Sequence, residues 1–225
     1  MTQLVVRAYV PVGMIRVVAT RSPHATRDQI LKAAFRAVYE QGLSATSLDA
    51  VLARAGLTKG ALYHHFECKQ ALGCALVDEV LAPMVLAQWV EPLRGTEDPI
   101  TALRELLRAQ AQAPSADVLR FGCPLNNLAQ EVSSQDDELR RRLETVMVRW
   151  VAALRDALAR GQGAGTVRAD ADPERVARFV VAAIEGAISL AKTARDPAVL
   201  RGSYEELGSY LEALRPARKR PRRGA

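Results

Sequence analysis

The chain of 225 residues is poor in aromatic side chains, cysteine and histidine. Aromatic residues make up 5% of the sequence, whereas alanine and leucine are abundant, and this balance favours helices over sheets. The three cysteines, Cys68, Cys74 and Cys123, are an odd number and include no Cys-x-x-Cys pair. This pattern argues against a disulfide framework or a structural zinc site and favours a reducing compartment.

Long apolar runs are also missing, since no uninterrupted apolar segment approaches the roughly 20 residues of a membrane span. The first residues, Met1 to Val18, are apolar, but two arginines and a proline interrupt them and they lack the features of a signal peptide. We therefore expect a cytoplasmic protein without a membrane partner. Residues 1–23 are predicted to form a flexible N-terminal extension, and Met14 is an alternative start of translation.

Motifs for catalysis and cofactor binding are absent as well, because the sequence contains neither His-Glu-x-x-His nor Gly-x-Ser-x-Gly. The glycine-rich segment 161–165 follows no strand pattern and lacks Gly-x-Gly-x-x-Gly, so we interpret it as a flexible connection. His64 and His65 are neighbours on a predicted helix and point about 100° apart, so they cannot chelate one metal ion. We predict no catalytic residue, no metal and no cofactor, and hence no enzyme.

Charge is distributed unevenly along the chain. Residues 1–72 carry nine basic and four acidic residues, a net charge of +5, whereas residues 73–215 carry 17 basic and 21 acidic residues, a net charge of −4. Residues 216–225 contain five basic residues and no acidic one. A basic module on a slightly acidic body suits a polyanionic partner. The segment 216–225 is predicted to be a disordered basic tail, more often a solvated end than a DNA contact.

The most informative segment, residues 46–66, has the pattern of two short helices joined by a turn. The first helix has an apolar stripe at i, i+3, i+4 and i+7, formed by Leu48, Val51, Leu52 and Ala55. Thr46 is predicted to cap this helix, because Asp49 follows three residues later as in a capping box. Gly56 supplies the positive φ that ends it.

The second helix of this segment can be capped by Thr58. Its inward side chains are predicted to be Ala61, Leu62 and Phe66. Its outward positions are predicted to be Lys59, Gly60, Tyr63 and His64. A helix-turn-helix places the exposed start of its second helix in the major groove of DNA, so this segment predicts a DNA-binding module.

The pattern Thr-x-Gly-x-Leu-Tyr-x-His-Phe at residues 58–66 closely resembles that of the tetracycline-repressor (TetR) family of bacterial transcription regulators. Residues 26–31 and 42–47 resemble the family's first helix and the lead into its second, and the resemblance is strong over about residues 26–72. Residues 121–131 are more weakly similar to the C-terminal domains of some members. The sequence departs from the pattern at Cys68, where the family often has a small polar residue, and in its first 20 or so residues.

Several DNA contacts follow from the second helix and from the resemblance. Lys59 is the clearest candidate for a phosphate or guanine contact. Gly60 inside a helix costs about 1 kcal/mol relative to alanine, which close approach to DNA would explain. The resemblance implies phosphate contacts for Tyr63 and His65, and a variable position at His64 that can touch a base. The complete set of predicted DNA-contacting residues is Ser47, Thr58, Lys59, Gly60, Tyr63, His64, His65 and Lys69.

The remainder of the chain shows helical patterns without β-α-β alternation, which predicts an all-α fold. An N-terminal three-helix DNA-binding domain with the helix-turn-helix, residues 24–72, precedes a larger helical ligand-binding and dimerisation domain, residues 73–215. Further helices are predicted at 26–41, from Cys68 to Pro83 or beyond, and at 99–112, 124–133, 136–160, 172–193 and 199–215. The two longest, 136–160 and 172–193, are predicted to form an antiparallel hairpin. In the family this hairpin pairs with that of a second copy; packing in the core of one subunit is the alternative.

A ligand pocket is expected within the helical body, away from the dimer interface, because small-molecule sites favour mostly apolar cavities between helices. The inducer is predicted to be small and largely apolar. The candidate lining residues, each of which can also be ordinary core, are Met84, Trp89, Phe121, Cys123, Met147 and Phe179. Cys123 is also a candidate electrophile sensor, as in some family members, because a helix N-terminus can lower a thiol pKa. The alternative is an inert packed thiol.

The sequence therefore predicts a ligand-responsive transcriptional regulator, most simply a repressor, that binds a palindromic operator of double-stranded DNA as a homodimer. A ligand that favours one dimer geometry would lower operator affinity by its differential binding. The half-sites should be separated by about one helical turn, ~34–36 Å, or a multiple of it. The alternatives are a constitutive, non-specific DNA-binding protein and a helical interaction module that does not bind DNA.

Overall fold

The computed structural model describes residues 23–217, and over this range the chain forms helices and no β-strand, which confirms the all-α prediction. In chain order the helices are α1 (Pro23–Gln41), α2 (Leu48–Ala55), α3 (Lys59–His65), α4 (Lys69–Leu93), α5 (Pro99–Gln112), α6 (Ala116–Phe121), α7 (Pro124–Val132), α8 (Asp137–Gly163), α9 (Pro173–Ala194) and α10 (Pro197–Glu212). Residues 1–22 of the predicted extension, including Met14, and residues 218–225 of the predicted tail lie outside the described residues.

Short-range hydrogen bonds set where α2 begins and ends. Ser47 is its N-cap, and the Ser47 hydroxyl oxygen accepts a hydrogen bond from the amide of Ala50 at 3.1 Å. The prediction that Thr46 caps this helix is wrong, because Thr46 is buried and its hydroxyl donates to the carbonyl oxygen of Gly42 at 2.6 Å. Gly56 ends α2 with a φ of 65°, as predicted.

Helix α1 provides the surface on which the helix-turn-helix packs. It begins at Pro23, three residues before the predicted start, and contacts α2, α3 and α4. Its buried side chains, Ile30 and Ala34 among them, meet Val51 of α2 and Leu62 of α3 in the same hydrophobic core. Burial of these aliphatic side chains holds α2 and α3 in a fixed orientation.

Helix α4 joins this module to the larger helical body and crosses the domain boundary predicted after residue 72. Two stretches of it, Leu76–Leu81 and Leu86–Val90, have wide π-helical turns. By length and composition alone the stretch Lys69–Leu93 could cross a membrane, a test that core helices of soluble proteins also pass. Asp78 and Glu79 interrupt its apolar sequence, and these two side chains form ion pairs with arginines of other helices.

The centre of the body is α8, which packs against α4, α5, α7 and α9. Trp150 of α8 is buried and stacks on Trp89 of α4, with 5.3 Å between the ring centroids. Helices α8 and α9 pack together as the predicted hairpin, and α10 packs in turn against α9 and α5. The sequence did not predict the short helix α6, which lies between α5 and α7.

The prediction of a flexible connection over residues 161–165 is wrong for its first three residues, since α8 continues to Gly163. At Gly161 a Cβ atom would lie 2.7 Å from a Val167 methyl carbon and 2.8 Å from the ring of Pro99. At Gly163 no atom lies within 4 Å of that position. Gly161 therefore lets the end of α8 pack closely against the start of α5, and its role is packing rather than flexibility.

Large apolar side chains are exposed on the outer face of α9. Phe179 is 51% exposed and Leu190 is 61% exposed. Phe179 and Leu190 line a shallow groove between α9 and α10, together with Ala183 and Tyr210. The ring centroids of Phe179 and Tyr210 lie 4.8 Å apart. This outer face, which we call the α9–α10 face, is thus built from the last two helices rather than from the α8–α9 hairpin.

Candidate DNA interface and ligand cavities

The second helix of the helix-turn-helix, α3, packs against the rest of the module with one side and exposes the other side to solvent. Thr58 is its N-cap and accepts a hydrogen bond from the amide of Ala61 at 3.4 Å. Leu62 and Phe66 are buried, and the Arg27 guanidinium lies 4.4 Å from the centroid of the Phe66 ring. Leu62 and Phe66 therefore point inward as predicted, whereas Ala61, the third predicted inward residue, is only half-buried.

The four residues predicted to point outward are all exposed, namely Lys59, Gly60, Tyr63 and His64. Among residues 23–217, Tyr63 is one of the few large hydrophobic side chains that are more than half exposed, at 53%. No atom lies within 4 Å of the position that a Cβ atom of Gly60 would take, so packing within the protein does not require glycine there. The open side of α3 is therefore available to a partner.

Lys59 is paired with an acidic side chain of its own chain. Its Nζ lies 2.9 Å from a carboxylate oxygen of Asp49 in α2, and both side chains are 69% exposed. This hydrogen bond and the charge of Asp49 raise the pKa of Lys59. From the sequence, Asp49 was expected only to take part in capping α2, although its place in the first turn of that helix brings it beside the start of α3.

The side chains of the other predicted DNA-contacting residues differ in how far they are already engaged within the protein. His65 is half-buried, and burial lowers its pKa with smaller contributions from His64, Arg27 and His24, so its ring is neutral at pH 7. Ser47 is engaged as the N-cap of α2. Lys69 is half-buried, and its Nζ donates a hydrogen bond to the carbonyl oxygen of Ser44 at 2.8 Å. This hydrogen bond attaches Lys69 to the loop between α1 and α2.

Two adjoining cavities lie in the helical body. The outer cavity has a volume of about 790 Å³ and is bounded by α1, α4, α6, α7 and α9. The inner cavity has a volume of about 50 Å³ and is bounded by residues of α4 to α10. The two share several lining residues, among them Cys123, Glu185 and Ile188. A ligand in one cavity would therefore lie close to the other.

Four of the six predicted pocket residues line these cavities. Met84 and Trp89 line the inner cavity, Phe121 lines the outer one, and Cys123 lines both. Met147 lines neither and is partly buried against the core. Phe179 also lines neither cavity, because it lies on the α9–α10 face while other side chains of α9 point inward. Met147 and Phe179 thus lie outside the two cavities.

A cluster of buried polar groups at the inner cavity was not predicted from the sequence. Glu185 is 8% exposed and Tyr204 is 3% exposed. Neither carboxyl oxygen of Glu185, nor the Tyr204 hydroxyl, nor the amide nitrogen of Gln110 has a hydrogen-bond partner of normal geometry within the described residues. Glu185 could have been noticed, because it interrupts the apolar stripe of α9 between Val181 and Ile188.

Ionisation in this cluster follows from burial. Burial raises the pKa of Glu185 to about 7, and the neighbouring Cys123 thiol partly offsets the increase. Burial also raises the pKa of Cys123 well above its usual value, and the Glu185 charge adds to the shift. The amide groups at the α7 N-terminus favour the thiolate, as expected from the sequence, but loss of solvation outweighs them.

Three groups of contacts connect the cavity walls to the N-terminal module. Arg36 of α1 pairs with Asp117 of α6 at 2.7 Å, and the Tyr39 hydroxyl donates to the carbonyl oxygen of Gly122 at 2.6 Å. The carboxylate of Glu131, at the end of α7, accepts hydrogen bonds from the amides of Leu43 at 2.9 Å and Ser44 at 2.6 Å. Residues 116–132, which we call the bridge segment, therefore contact both the cavities and the module.

No cluster of three histidine, cysteine or acidic side chains that could hold a metal ion occurs between residues 23 and 217. The ring centroids of His64 and His65 lie 5.0 Å apart in an edge-to-face arrangement.

Comparison with known proteins places both parts of the chain in one family. Residues 30–75 match the model described as "Bacterial regulatory proteins, tetR family", and residues 99–206 match "Tetracyclin repressor-like, C-terminal domain". The HTH-type transcriptional repressor DhaR of Mycobacterium sp. (strain GP1) is 27% identical over 202 residues, which cover 85% of this chain and 93% of DhaR. The transcriptional regulator AcuR of Cereibacter sphaeroides is 28% identical, with 82% and 84% covered.

Solved structures agree with this placement. The regulatory protein TetR from Rhodobacter sphaeroides has a TM-score of 0.73 at 27% identity, covering 82% of this chain and 98% of its own. A TetR transcriptional regulator from Chloroflexus aurantiacus has a TM-score of 0.75 at 29% identity, covering 85% and 96%. The chain is accordingly a DNA-binding transcriptional regulator and not an enzyme, and it belongs to the TetR family, whose members bind DNA operators and act as dimers.

Proposed function

We propose that this protein is a cytoplasmic, ligand-responsive repressor that binds a palindromic operator as a homodimer. Its DNA-binding domain would span residues 24–72 and its ligand-binding and dimerisation domain residues 73–215. The observation that carries the proposal is the exposed side of α3, where Lys59 and Tyr63 project from a helix whose other side is anchored in the core. Such a helix can enter a major groove without rearranging the module that carries it.

Individual contacts follow from exposure. Lys59 can exchange its partner Asp49 for a phosphate or a guanine, and Tyr63 can donate its hydroxyl to a phosphate. Gly60 allows the helix backbone to approach DNA closely, and His64 can reach a base edge. The edge of the DNA-contacting surface would be formed by Ser47, Thr58, His65 and Lys69. Their side chains are already partly engaged within the protein, so we expect smaller contributions from them.

The α9–α10 face is proposed as the homodimer interface. Family members act as dimers, and this face carries Phe179 and Leu190, large apolar side chains that a soluble monomer would leave in water. The small residues Ala183 and Gly186 lie between them in the groove, where they would let the helices of a second copy pack closely. A two-fold symmetric pairing of this face would match the two-fold symmetry of a palindromic operator.

The bridge segment is proposed to couple ligand binding to DNA binding. It contributes Cys123 to both cavities, and at its far end Glu131 holds the loop that leads from α1 to α2. A ligand that favours one position of α7 would therefore bias the position of this loop and of the helix-turn-helix beyond it. The resulting decrease in operator affinity can be no larger than the ratio of the ligand affinities of the two positions.

The inducer proposed for these cavities is small and has an apolar body with at least one polar group. The inner cavity has the apolar walls that were expected from the sequence, including Met84 and Trp89. It also carries the unpartnered polar atoms of Glu185 and Tyr204, which a purely apolar molecule would leave without partners. The largely apolar inducer expected from the sequence should therefore also carry a polar group that can pair with these atoms.

Chromatin profiling of the tagged protein tests the DNA-binding proposal and yields the operator, since sharp peaks over palindromic sequences are expected only of a sequence-specific dimer. Lys59→Ala should then weaken operator binding and make its salt dependence shallower, by about 0.9 in slope for the phosphate that the variant no longer neutralises. Tyr63→Phe should weaken operator binding through the loss of one hydrogen bond. Arg94→Ala, at an exposed ion pair of the body, is the matched control. Unchanged affinity and slope in both α3 variants would refute the assignment of this helix.

A further inference from the structure

The inner cavity brings together a carboxyl group, a phenol and both tryptophans of the chain. We propose that it binds the protonated amino group of an organic cation, with Glu185 as the anionic partner and the aromatic rings around it. This inference rests on the ligand-responsive function proposed above and names the chemical class of the ligand.

Glu185 has no cationic partner in the described part of the protein. Its carboxyl group is buried and its oxygens have no hydrogen-bond partner of normal geometry. Lys192, two turns further along α9, donates instead to the side-chain oxygen of Asn127 at 3.3 Å. No arginine or lysine between residues 23 and 217 forms an ion pair with Glu185 at 4 Å or less. A buried carboxyl group left in this state costs free energy, which a ligand cation would offset.

The aromatic lining of the inner cavity also suits a cation. Trp89 and Trp150 stack at 5.3 Å and both line the inner cavity, as does Tyr204. The electron-rich face of an indole attracts a cation, and Trp is the strongest of the aromatic side chains in this respect. An ammonium group has three N–H donors, and the two oxygens of Glu185 with the hydroxyl of Tyr204 supply three acceptors.

The connection between the two cavities gives room for the rest of such a ligand. The inner cavity, at about 50 Å³, has room for a small head group, and Glu185 also borders the outer cavity of about 790 Å³. The amino group would lie inside and the rest of the ligand outside. Arg120 and Arg195 line only the outer cavity, so an anionic ligand would bind near them and away from the tryptophans.

Tryptophan fluorescence of the full-length protein, without DNA, tests this proposal, because the only two tryptophans of the chain line the cavity. The probes are benzylamine, its neutral analogue benzyl alcohol, and benzoate. Benzylamine is expected to give a saturable change in fluorescence, with the other two binding about tenfold more weakly or worse. Glu185→Gln should weaken benzylamine binding by about tenfold or more. Glu105→Gln, at an exposed carboxylate of α5, is the matched control.

The pH dependence supplies a second readout. Because burial raises the pKa of Glu185 to about 7, its charged form increases about tenfold between pH 6 and pH 8. Cys123 and Tyr204 are the titratable groups that face it, and both have raised pKa values, so both stay neutral in this range. Benzylamine affinity should therefore rise about tenfold from pH 6 to pH 8 in the native protein and stay flat in Glu185→Gln.

Several results would overturn the proposal. Equal affinity for benzyl alcohol, or full retention of binding in Glu185→Gln, would show a neutral hydrogen-bonding ligand; tighter binding of benzoate would show an anion site. The absence of a saturable signal from benzylamine would also reject it. Tyr204→Phe, expected to weaken benzylamine severalfold, covers the case in which Glu185→Gln fails to fold. Operator affinity measured separately by fluorescence anisotropy distinguishes failure of this site from failure of the repressor function.

Discussion

Replacement of Glu131 by glutamine should weaken the contact between the helical body and the DNA-binding module. In the native protein each carboxylate oxygen accepts one backbone hydrogen bond, from Leu43 and from Ser44. Glutamine has the same shape but only one oxygen, so one of the two amides would face an NH₂ group and would have no acceptor. Lys69, whose charge also favours the carboxylate, would face a neutral group instead.

The magnitude follows from these bonds. A hydrogen bond to a charged group contributes roughly 1.5–3 kcal/mol, and an unsatisfied amide costs a comparable amount. Glu131 is only partly buried, so solvent screening places the expected loss near the low end, at about 1–2 kcal/mol of unfolding free energy. For a chain of this size that corresponds to a decrease in Tm of roughly 2–8 °C.

Urea unfolding at several pH values is the assay. Burial alone would raise the pKa of Glu131, but hydrogen bonds from Ser44 and Leu43 and the charge of Lys69 outweigh it and lower the pKa below 4.5. A lowered carboxyl pKa adds stability that is present above the unfolded value and is lost as the pH falls through the folded value. The difference between native protein and Glu131→Gln should therefore be full at pH 7 and shrink below about pH 4.5.

Glu144→Gln is the matched control, because Glu144 forms only an exposed ion pair with Arg140 on α8. If Glu131→Gln unfolded at the same urea concentration as Glu144→Gln at pH 7, the contact would carry no stability and the reasoning would be refuted. If the bridge segment transmits the ligand signal, Glu131→Gln should also reduce the effect of ligand on operator affinity.

Close packing, exposure and burial support three further predictions. Gly161→Ala should destabilise the protein by about 1–3 kcal/mol in urea unfolding, because the added methyl group would overlap neighbouring side chains. Gly163→Ala, where the space beside the glycine is open, should change the unfolding free energy by less than about 1 kcal/mol. Equal losses of stability in the two variants would contradict the packing argument. Phe179→Glu should convert the dimer to a monomer in analytical ultracentrifugation, whereas Val148→Glu, an equally exposed apolar position on α8, should not. Operator release by a quinone should be the same in native protein and Cys123→Ser, because burial keeps this thiol protonated; a response that disappears only in the variant would restore the sensor hypothesis.

The helix-turn-helix was predictable because its signals are local. Apolar spacing, the glycine at the end of α2 and the cap of α3 each depend on residues within one or two turns. The cap of α2 was misassigned because two hydroxyl residues, Thr46 and Ser47, stand side by side and only the fold decides between them. The sequence alone does not distinguish which of two adjacent hydroxyl residues is the N-cap.

The interior of the body was less predictable because it depends on contacts between distant helices. In α4, Val77 is fully buried within the wide turn of Leu76–Leu81, and Val80 is partly buried against the same core. A π-helical turn changes the spacing of the inward positions, and the pattern of a regular α-helix does not indicate where such a turn occurs. The cluster of Glu185 and Tyr204 joins side chains from α9 and α10, and no periodicity within one helix indicates such a pair.

The ion pair between Lys59 and Asp49 has a consequence for the amount of protein that a cell must make. If Lys59 binds a phosphate in the proposed complex, that phosphate must displace the Asp49 carboxylate, so every DNA sequence meets the same competition. This competition lowers the absolute affinity for operator and for random DNA alike, and it leaves their ratio unchanged. Asp49 therefore helps to set the protein concentration at which repression begins, while the base contacts set which gene is repressed.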